Sequence, residues 1–108
     1  MQEIKVNWSS VEKKAAQEAF NKAYEREIAD LLKQVRVKAS EIVKIEQLWS
    51  LHDFLSAKRH EIDGKYDFDY PGLLFVFANL IKDGWLDIDE LQNLDKDKLA
   101  KIGALTRL

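Results

Sequence analysis

The first 63 residues of this 108-residue chain contain neither glycine nor proline. A β-rich domain needs a turn about every 8–12 residues, and most of those turns use Gly, Pro or Asn. The segment is instead rich in Ala, Glu, Lys, Leu and Gln, which are strong helix formers. All four glycines and the single proline, Pro71, come later. These features predict an all-α protein whose first 63 residues form long helices.

Composition and charge exclude several classes of function. The 17 basic and 19 acidic side chains give a net charge of −2, whereas proteins that bind nucleic acid usually carry a basic excess. Because the chain has no cysteine, it cannot form a disulfide, a thiolate nucleophile or a Cys-based zinc site. The longest apolar stretch, residues 73–81, is well short of the roughly 20 residues that span a bilayer, and the N-terminus lacks the pattern of a signal peptide. We therefore expect a cytoplasmic protein with no nucleic-acid partner.

The glycine-free segment is predicted to form a helical hairpin. Its first helix should begin at Ser9, because the Ser9 hydroxyl and the Glu12 carboxylate have the spacing of a capping box. A turn is expected near residues 38–43. The second helix is predicted to run from about Ile42 to Asp63 and to end at Gly64, where a left-handed residue would close it.

Beyond Gly64 the chain is punctuated by Gly and Pro, which predicts a compact head of short helices, one of them ended by Asp83-Gly84. We therefore divide the chain into a hairpin, residues 1–64, and a head, residues 65–108. Neither part is large enough to supply a sufficient core by itself, since small single cores are marginal below roughly 70–80 residues. Self-association of the long helices would bury their apolar faces, and we expect a homodimer formed through them.

The second helix carries an unusual set of side chains on one side. At about 100° per residue, its apolar arc is formed by Leu48, Leu51, Phe54, Leu55 and Ile62. A second arc of about 120° is formed by Trp49, His52, Asp53, Ser56, Arg59 and His60.

Two interpretations of this second arc stay open, and they are compatible. The arc is either part of the dimer interface or a hot spot for another protein, since Trp and Arg often dominate binding energies. Acid–base catalysis and metal binding are weakly supported, because adjacent residues such as His52 and Asp53 diverge by about 100° on a helix. His60 is followed by Glu61 but lacks the second histidine of a zinc-protease helix. No residue pattern indicates a cofactor.

The head contains one further ambiguity. Phe75 and Phe77 are too close in sequence for both to point along one narrow stripe of a helix. Both are predicted to be core residues, and if one of them is exposed, an aromatic ring beside Lys101 would form a second contact site.

The run from Leu48 to Asp67, LWSLHDFLSAKRHEIDGKYD, resembles the signature of the cyanobacterial fluorescence recovery proteins. The resemblance extends over essentially the whole chain. Its other parts are Trp8-Ser9, residues 23–27 (AYERE), residues 74–78 (LFVFA) and the closing residues 105–108 (LTRL).

This resemblance implies an all-helical, dimeric, non-enzymatic regulator without a cofactor. Members of the family bind the photoactivated red form of the orange carotenoid protein, mainly through its C-terminal domain. They accelerate its return to the orange form and promote its detachment from the phycobilisome, which ends non-photochemical quenching, so any association with the thylakoid or phycobilisome would be peripheral.

By the same resemblance, the partner-binding and dimer residues would be Trp49, His52, Asp53 and Arg59, and the head contacts would be Phe75 and Lys101. The alternative function is that of a helical homodimeric adaptor module with a different protein partner.

Overall fold

The computed structural model describes residues 7–108 and contains four α-helices in that range. These are α1 (Ser10–Ser40), α2 (Ile45–Lys65), α3 (Leu73–Lys82) and α4 (Lys96–Thr106). Two short 3-10 helices, Tyr70–Gly72 and Ile88–Leu91, precede and follow α3. The described residues include no β-strand, so the all-α prediction is confirmed.

The start of α1 follows from a local hydrogen-bond pattern. The Ser9 hydroxyl accepts from the Glu12 amide at 3.2 Å, and the Glu12 carboxylate accepts from the Ser9 amide at 3.0 Å. Two amides that the first helical turn leaves unpaired are thereby satisfied. The predicted capping box is confirmed.

The long helices are joined by a tight turn over residues 41–44, and α2 runs back along α1. Near the turn the Lys38 ammonium lies 4.7 Å from the centre of the Phe54 ring. The side-chain oxygen of Gln47 accepts from the amides of Val43 and Lys44 at 2.7 and 2.9 Å, which caps α2 and places its first residue at Ile45. The second helix therefore begins three residues later than the sequence predicts.

The predicted end of α2 at Gly64 is wrong, because Gly64 is helical and the helix continues through Lys65. The Tyr66 amide donates to the Ile62 carbonyl at 3.1 Å, so the helical hydrogen-bond pattern extends past the glycine. A left-handed glycine does end α3, where Gly84 has a φ of 86°. That position confirms the predicted stop at Asp83-Gly84.

The core lies where the head packs against the first half of α1. The largest fully buried side chains come from α3, the second 3-10 helix and α4: Phe77, Leu73, Leu80, Leu91 and Ile102. The opposing face of α1 is lined by alanines, of which Ala16, Ala19 and Ala23 are almost completely buried. Methyl side chains let the head approach the α1 backbone closely. The core of the head thus includes part of the first long helix, and the functional division at residue 64 stays a prediction.

Within the described part of the chain, no helix is both long enough and apolar enough to cross a membrane.

Candidate partner-binding surfaces

Four predicted site residues project from one side of α2, and we call them the α2 surface: Trp49, His52, Asp53 and Arg59. Trp49 is 59% exposed, and the side chains of His52, Asp53 and Arg59 are 72%, 83% and 86% exposed. The helix brings them together because their spacings of three, four and ten residues recur on one side of a 3.6-residue turn. A large aromatic ring is therefore presented to solvent on the same side of the helix as a carboxylate one turn away and a guanidinium about 15 Å along the axis.

The charged groups of the α2 surface make only short-range contacts within the chain. The Arg59 Nε atom lies 3.8 Å from Oδ2 of Asp63, one turn later, and His52 Nδ1 lies 3.4 Å from Oδ1 of Asp53. Ion pairs this exposed contribute at most about 1 kcal/mol to stability. No strong contact inside the chain therefore competes with pairing of Asp53 or Arg59 to a second copy or to another protein.

The apolar arc of α2 is only partly covered by its own chain. Ile62 is buried and Leu51 and Phe54 are half-buried, whereas Leu48 and Leu55 remain exposed. The helix therefore presents apolar side chains next to the charged and aromatic α2 surface. One chain does not complete the core that the sequence predicts for this helix.

In the head, α3 and α4 form an apolar groove with a volume of about 420 Å³. Its lining residues are Pro71, Leu74, Phe75, Lys101, Ala104, Leu105 and Leu108. Phe75 is 61% exposed, whereas Phe77 is fully buried, so the expectation that both rings belong to the core is wrong for Phe75. The two rings differ because they project about 200° apart on α3. The structure brings Phe75 and Lys101 to the same groove, which we call the head groove.

The sequence analysis missed a buried polar cluster where α2 leaves α1, and we call it the junction: Glu27, Lys65 and Tyr66. The Lys65 ammonium donates to Glu27 Oε2 at 2.7 Å, and the Tyr66 hydroxyl donates to Glu27 Oε1 at 2.8 Å. Lys65 also lies 3.4 Å from Oδ2 of Asp83 at the end of α3. The Glu27 carboxylate therefore links α1 to the end of α2, and the Lys65 ammonium links both helices to the end of α3.

The electrostatics of the junction favour a charged lysine and a neutral tyrosine. Burial disfavours the Lys65 ammonium, but its hydrogen bond to Glu27 and the nearby Asp83 carboxylate outweigh this and raise the pKa of Lys65. Burial also raises the pKa of the Tyr66 phenol, and the hydrogen bond to Glu27 raises it further. Tyr66 therefore stays a hydrogen-bond donor across the physiological pH range.

A sequence signal for this region exists in the alternation Tyr66-Asp67-Phe68-Asp69-Tyr70. In an extended segment, alternate side chains point to opposite sides. The two aspartates are exposed, and the aromatic rings pack inward, with Phe20 edge-on to Tyr66 and Phe68 at centroid distances of 5.5 and 5.1 Å. The alternation predicts a segment held against a surface, although it does not identify α1 as that surface.

A second buried ion pair joins the start of α1 to α4. Glu12 Oε2 accepts from the Lys98 ammonium and from the Asp95 amide, both at 2.9 Å. Burial alone would raise the pKa of Glu12, but hydrogen bonds from the Ser9 and Asp95 amides and from Lys98 lower it to about 2. The carboxylate that caps α1 thus also fastens α4 to it.

Among residues 7–108, no group of three or more His, Asp or Glu side chains is arranged to hold a metal ion. The arrangement of the α2 surface and the head groove, with aromatic rings and single charges on exposed helices, is suited to binding another protein.

Comparison with known proteins identifies the family. Residues 8–106 match the model of the photoprotection regulator fluorescence recovery protein. The chain belongs to the fluorescence recovery protein family. It is 51% identical to the fluorescence recovery protein of Synechocystis sp. PCC 6803, with 100% of this chain and 99% of the relative aligned. The resemblance inferred from the sequence is therefore confirmed, and the chain is a member of a family of regulators in photoprotection.

Solved structures of the family share the fold. The fluorescence recovery protein of Fremyella diplosiphon is 61% identical and superposes with a TM-score of 0.93. The Synechocystis protein is 53% identical in the solved structure, with a TM-score of 0.92. Both alignments cover 94% of this chain and 100% of the solved chain. The similarity thus includes the long helices and the head together.

Proposed function

We propose that this protein binds the photoactivated red form of the orange carotenoid protein, mainly through the partner's C-terminal domain, and accelerates its return to the orange form. The same binding promotes detachment of the partner from the phycobilisome. The protein acts in the cytoplasm, and its association with the phycobilisome is peripheral. The observation that carries the proposal is the exposed α2 surface, because a chain that matches fluorescence recovery proteins along its full length presents Trp49 and Arg59 to solvent.

The chemistry of the α2 surface supports a protein partner. Tryptophan and arginine are enriched among residues whose truncation weakens association most, because both bury large areas and retain a hydrogen-bond donor. The guanidinium of Arg59 is a planar fork that matches a carboxylate on the partner, and Asp53 offers the complementary charge. His52, whose Nδ1 lies 3.4 Å from Oδ1 of Asp53, adds a donor or an acceptor.

The exposed apolar arc of α2 supports a homodimer as the functional form. Leu48 and Leu55 are 43% and 37% exposed, and Leu32 and Val37 of α1 are each 50% exposed. A second copy offers the same apolar side chains in a self-complementary, two-fold arrangement. In such a dimer the α2 surface borders the interface.

The head groove supplies a second contact. Phe75 and Lys101 present an exposed ring and an ammonium beside an apolar groove, so one partner molecule can be held at two places. Once the first contact has formed, the rest of the same partner molecule is held near the second site, which raises its effective concentration there. Such a scaffold favours the return of separated domains of the partner to each other.

The acceleration follows from differential binding. A protein speeds a conformational return only if it binds the transition state, or an intermediate on the path, more tightly than the starting state. It must bind the orange product weakly, since otherwise it would not be released. This activity requires surfaces and orientation, and the proposal includes neither a cofactor nor a covalent step.

The test is the dark recovery rate of the red orange carotenoid protein at saturating regulator. We expect Arg59→Leu to leave the helices folded and the dimer intact and to slow recovery severely. Arg59→Lys should restore recovery only in part, because an ammonium cannot form two parallel hydrogen bonds to one carboxylate. Lys14→Leu is the matched control, because it removes one positive charge from an exposed position on α1.

Normal recovery by a dimeric Arg59→Leu variant would show that the α2 surface does not use Arg59 on the partner. Dissociation of that variant into monomers would instead assign Arg59 to the dimer interface. If the wild-type protein does not alter recovery at all, the alternative of a homodimeric adaptor with another partner replaces the proposal.

A further inference from the structure

The α2 surface and the head groove lie on different parts of the fold. The first is carried by the outer side of α2, and the second lies between α3 and α4. Their relative orientation depends on how the head packs on α1 and on the connection from α2 to α3, which is the short stretch of residues 66–72. Two contacts on one partner are useful only if the head is held at a fixed orientation to α2, because linkage fails when geometry forbids simultaneous engagement.

The junction lies at the beginning of this connection. The side chains of Lys65 and Glu27 are only 10% and 5% exposed, and both oxygens of the Glu27 carboxylate are occupied, one by Lys65 and the other by Tyr66. Lys65 then reaches Asp83, the residue at which α3 ends. Three helices, α1, α2 and α3, are therefore joined through Lys65 at the end of α2 and Tyr66, the first residue of the connection.

A buried polar cluster is a costly way to gain stability. Moving a carboxylate and an ammonium out of water is unfavourable, and apolar residues of similar volume often stabilise a fold as well or better. What the polar cluster adds is direction, because each hydrogen bond is favourable only within a narrow range of distances and angles.

We propose that the junction of Glu27, Lys65 and Tyr66 fixes the orientation of the head groove relative to the α2 surface, so that both engage one partner molecule. The inference rests on the proposed function, since it takes the partner and the two contacts from there. These are positioning residues, and none of them needs to touch the partner. Loss of the junction should therefore uncouple the two contacts while each contact remains present.

The first experiment measures orientation without any partner. Spin labels are attached at Ser56→Cys on α2 and Ala100→Cys on α4, which is straightforward because the chain has no cysteine of its own. Labelled protein is diluted with unlabelled protein so that only distances within one chain are measured. We expect a narrow distance distribution in the otherwise native protein and a clearly broader one in the double variant Glu27→Met, Lys65→Met.

The double methionine variant replaces the buried charges with apolar side chains of similar length, so we expect the fold to be retained. Lys14→Met, Glu18→Met is the matched control, because it removes one positive and one negative charge from exposed positions one turn apart on α1. Its distribution should be as narrow as that of the native protein. If the double methionine variant does not fold, Tyr66→Phe removes a single hydroxyl from the junction and should broaden the distribution less.

The second experiment measures the coupling of the two contacts with the red orange carotenoid protein. In the native background, Phe75→Ala should weaken apparent affinity by about tenfold, because the second contact is lost. In the double methionine background, Phe75→Ala should change affinity by less than about twofold, since the head groove no longer engages together with the α2 surface. A junction that only stabilised the fold would leave the effect of Phe75→Ala unchanged.

The outcomes separate this inference from the proposed function. An unchanged distance distribution overturns the inference, whatever the activity, and so does a full tenfold effect of Phe75→Ala in both backgrounds. A native protein that does not affect the partner overturns the proposed function, and with it the coupling of two contacts. The distance distributions then still decide whether the junction orients the head.

Discussion

The head and the second long helix use apolar side chains in opposite ways. Five large side chains of the head are fully buried, with Phe77 and Leu80 among them. Over its 21 residues, α2 has a single buried residue, Ile62, although Leu48 and Leu55 are as apolar as those of the head. The head buries most of its large hydrophobic side chains within one chain but leaves Phe75 exposed at its groove, whereas α2 leaves Leu48 and Leu55 exposed along one side. In both regions the exposed apolar side chains lie at the candidate binding surfaces.

The sharpest test of this difference compares two phenylalanines on α3. Phe77→Ala should lower the free energy of unfolding by about 3–5 kcal/mol, because it removes a fully buried ring and leaves a cavity. Phe75→Ala should change it by no more than about 0.5 kcal/mol, since its ring is largely in solvent. Urea unfolding at one fixed protein concentration measures both. Equal effects of the two substitutions would contradict the division between core and groove.

On α2 the expected loss is in association. Trp49→Ala should weaken dimerisation or partner binding by about 2–4 kcal/mol while helical circular dichroism is unchanged. Val11→Ala, which truncates an apolar side chain that is 65% exposed on α1, is the control and should have no such effect. Sedimentation and titration with the red carotenoid protein distinguish the two associations. If both associations survive Trp49→Ala at native strength, Trp49 is an ordinary surface residue.

Acid should weaken the head through Glu12. The pKa of Glu12 is about 2 in the folded protein and 4.5 without these contacts, so folding favours the ionised form. The resulting stability is fully present above about pH 4.5 and is lost as the pH falls from there toward 2. Urea unfolding at several pH values should therefore give a shallower pH dependence for Glu12→Gln. Glu18→Gln, at an exposed position, is the control and should keep the native dependence of the unfolding free energy on pH. If Glu12→Gln also keeps the native dependence, Glu12 is not the source of the acid sensitivity.

The smallest effect is expected from the local ion pair of the α2 surface. Asp63→Asn removes the acidic partner 3.8 Å from Arg59 and should change the free energy of unfolding by less than about 0.5 kcal/mol. It should also leave the dark recovery rate close to native, because Arg59 keeps its charge and its fork of donors. A strong loss of recovery would mean that Asp63 orients Arg59 for the partner.

Local chemistry explains which parts of the fold the sequence predicts. Two predicted features depend only on a few neighbouring residues, and the structure contains both. They are the capping box of Ser9 and Glu12 and the end of α3 at Gly84. The stop at Gly64 fails because a distant contact overrides it. Lys65 is held by Glu27, 38 residues earlier, and the helix continues through the glycine. The propensity of glycine to end a helix is here weaker than an ion pair that holds the helix for two more residues.

Prediction of the candidate site from the sequence is limited in a similar way. The helical period places Trp49 and Arg59 on one side of α2, but it does not say which molecule covers the apolar arc beside them. The exposure of Phe75 depends on how α4 packs against α3, which no spacing within α3 encodes. The junction is still harder to predict, because Glu27 reads as one of many surface charges until Lys65 and Tyr66 are placed against it.

The contact between Glu12 and Lys98 has a consequence for how the protein is made. The two residues are 86 positions apart, and one belongs to the first helix and the other to the last. At a synthesis rate of roughly 5–20 residues per second, the ribosome delivers Lys98 about 4–17 seconds after Glu12. The rest of α1, all of α2 and all of α3 are synthesised during that interval. The carboxylate that caps α1 therefore cannot acquire its buried cationic partner until the last helix has been made.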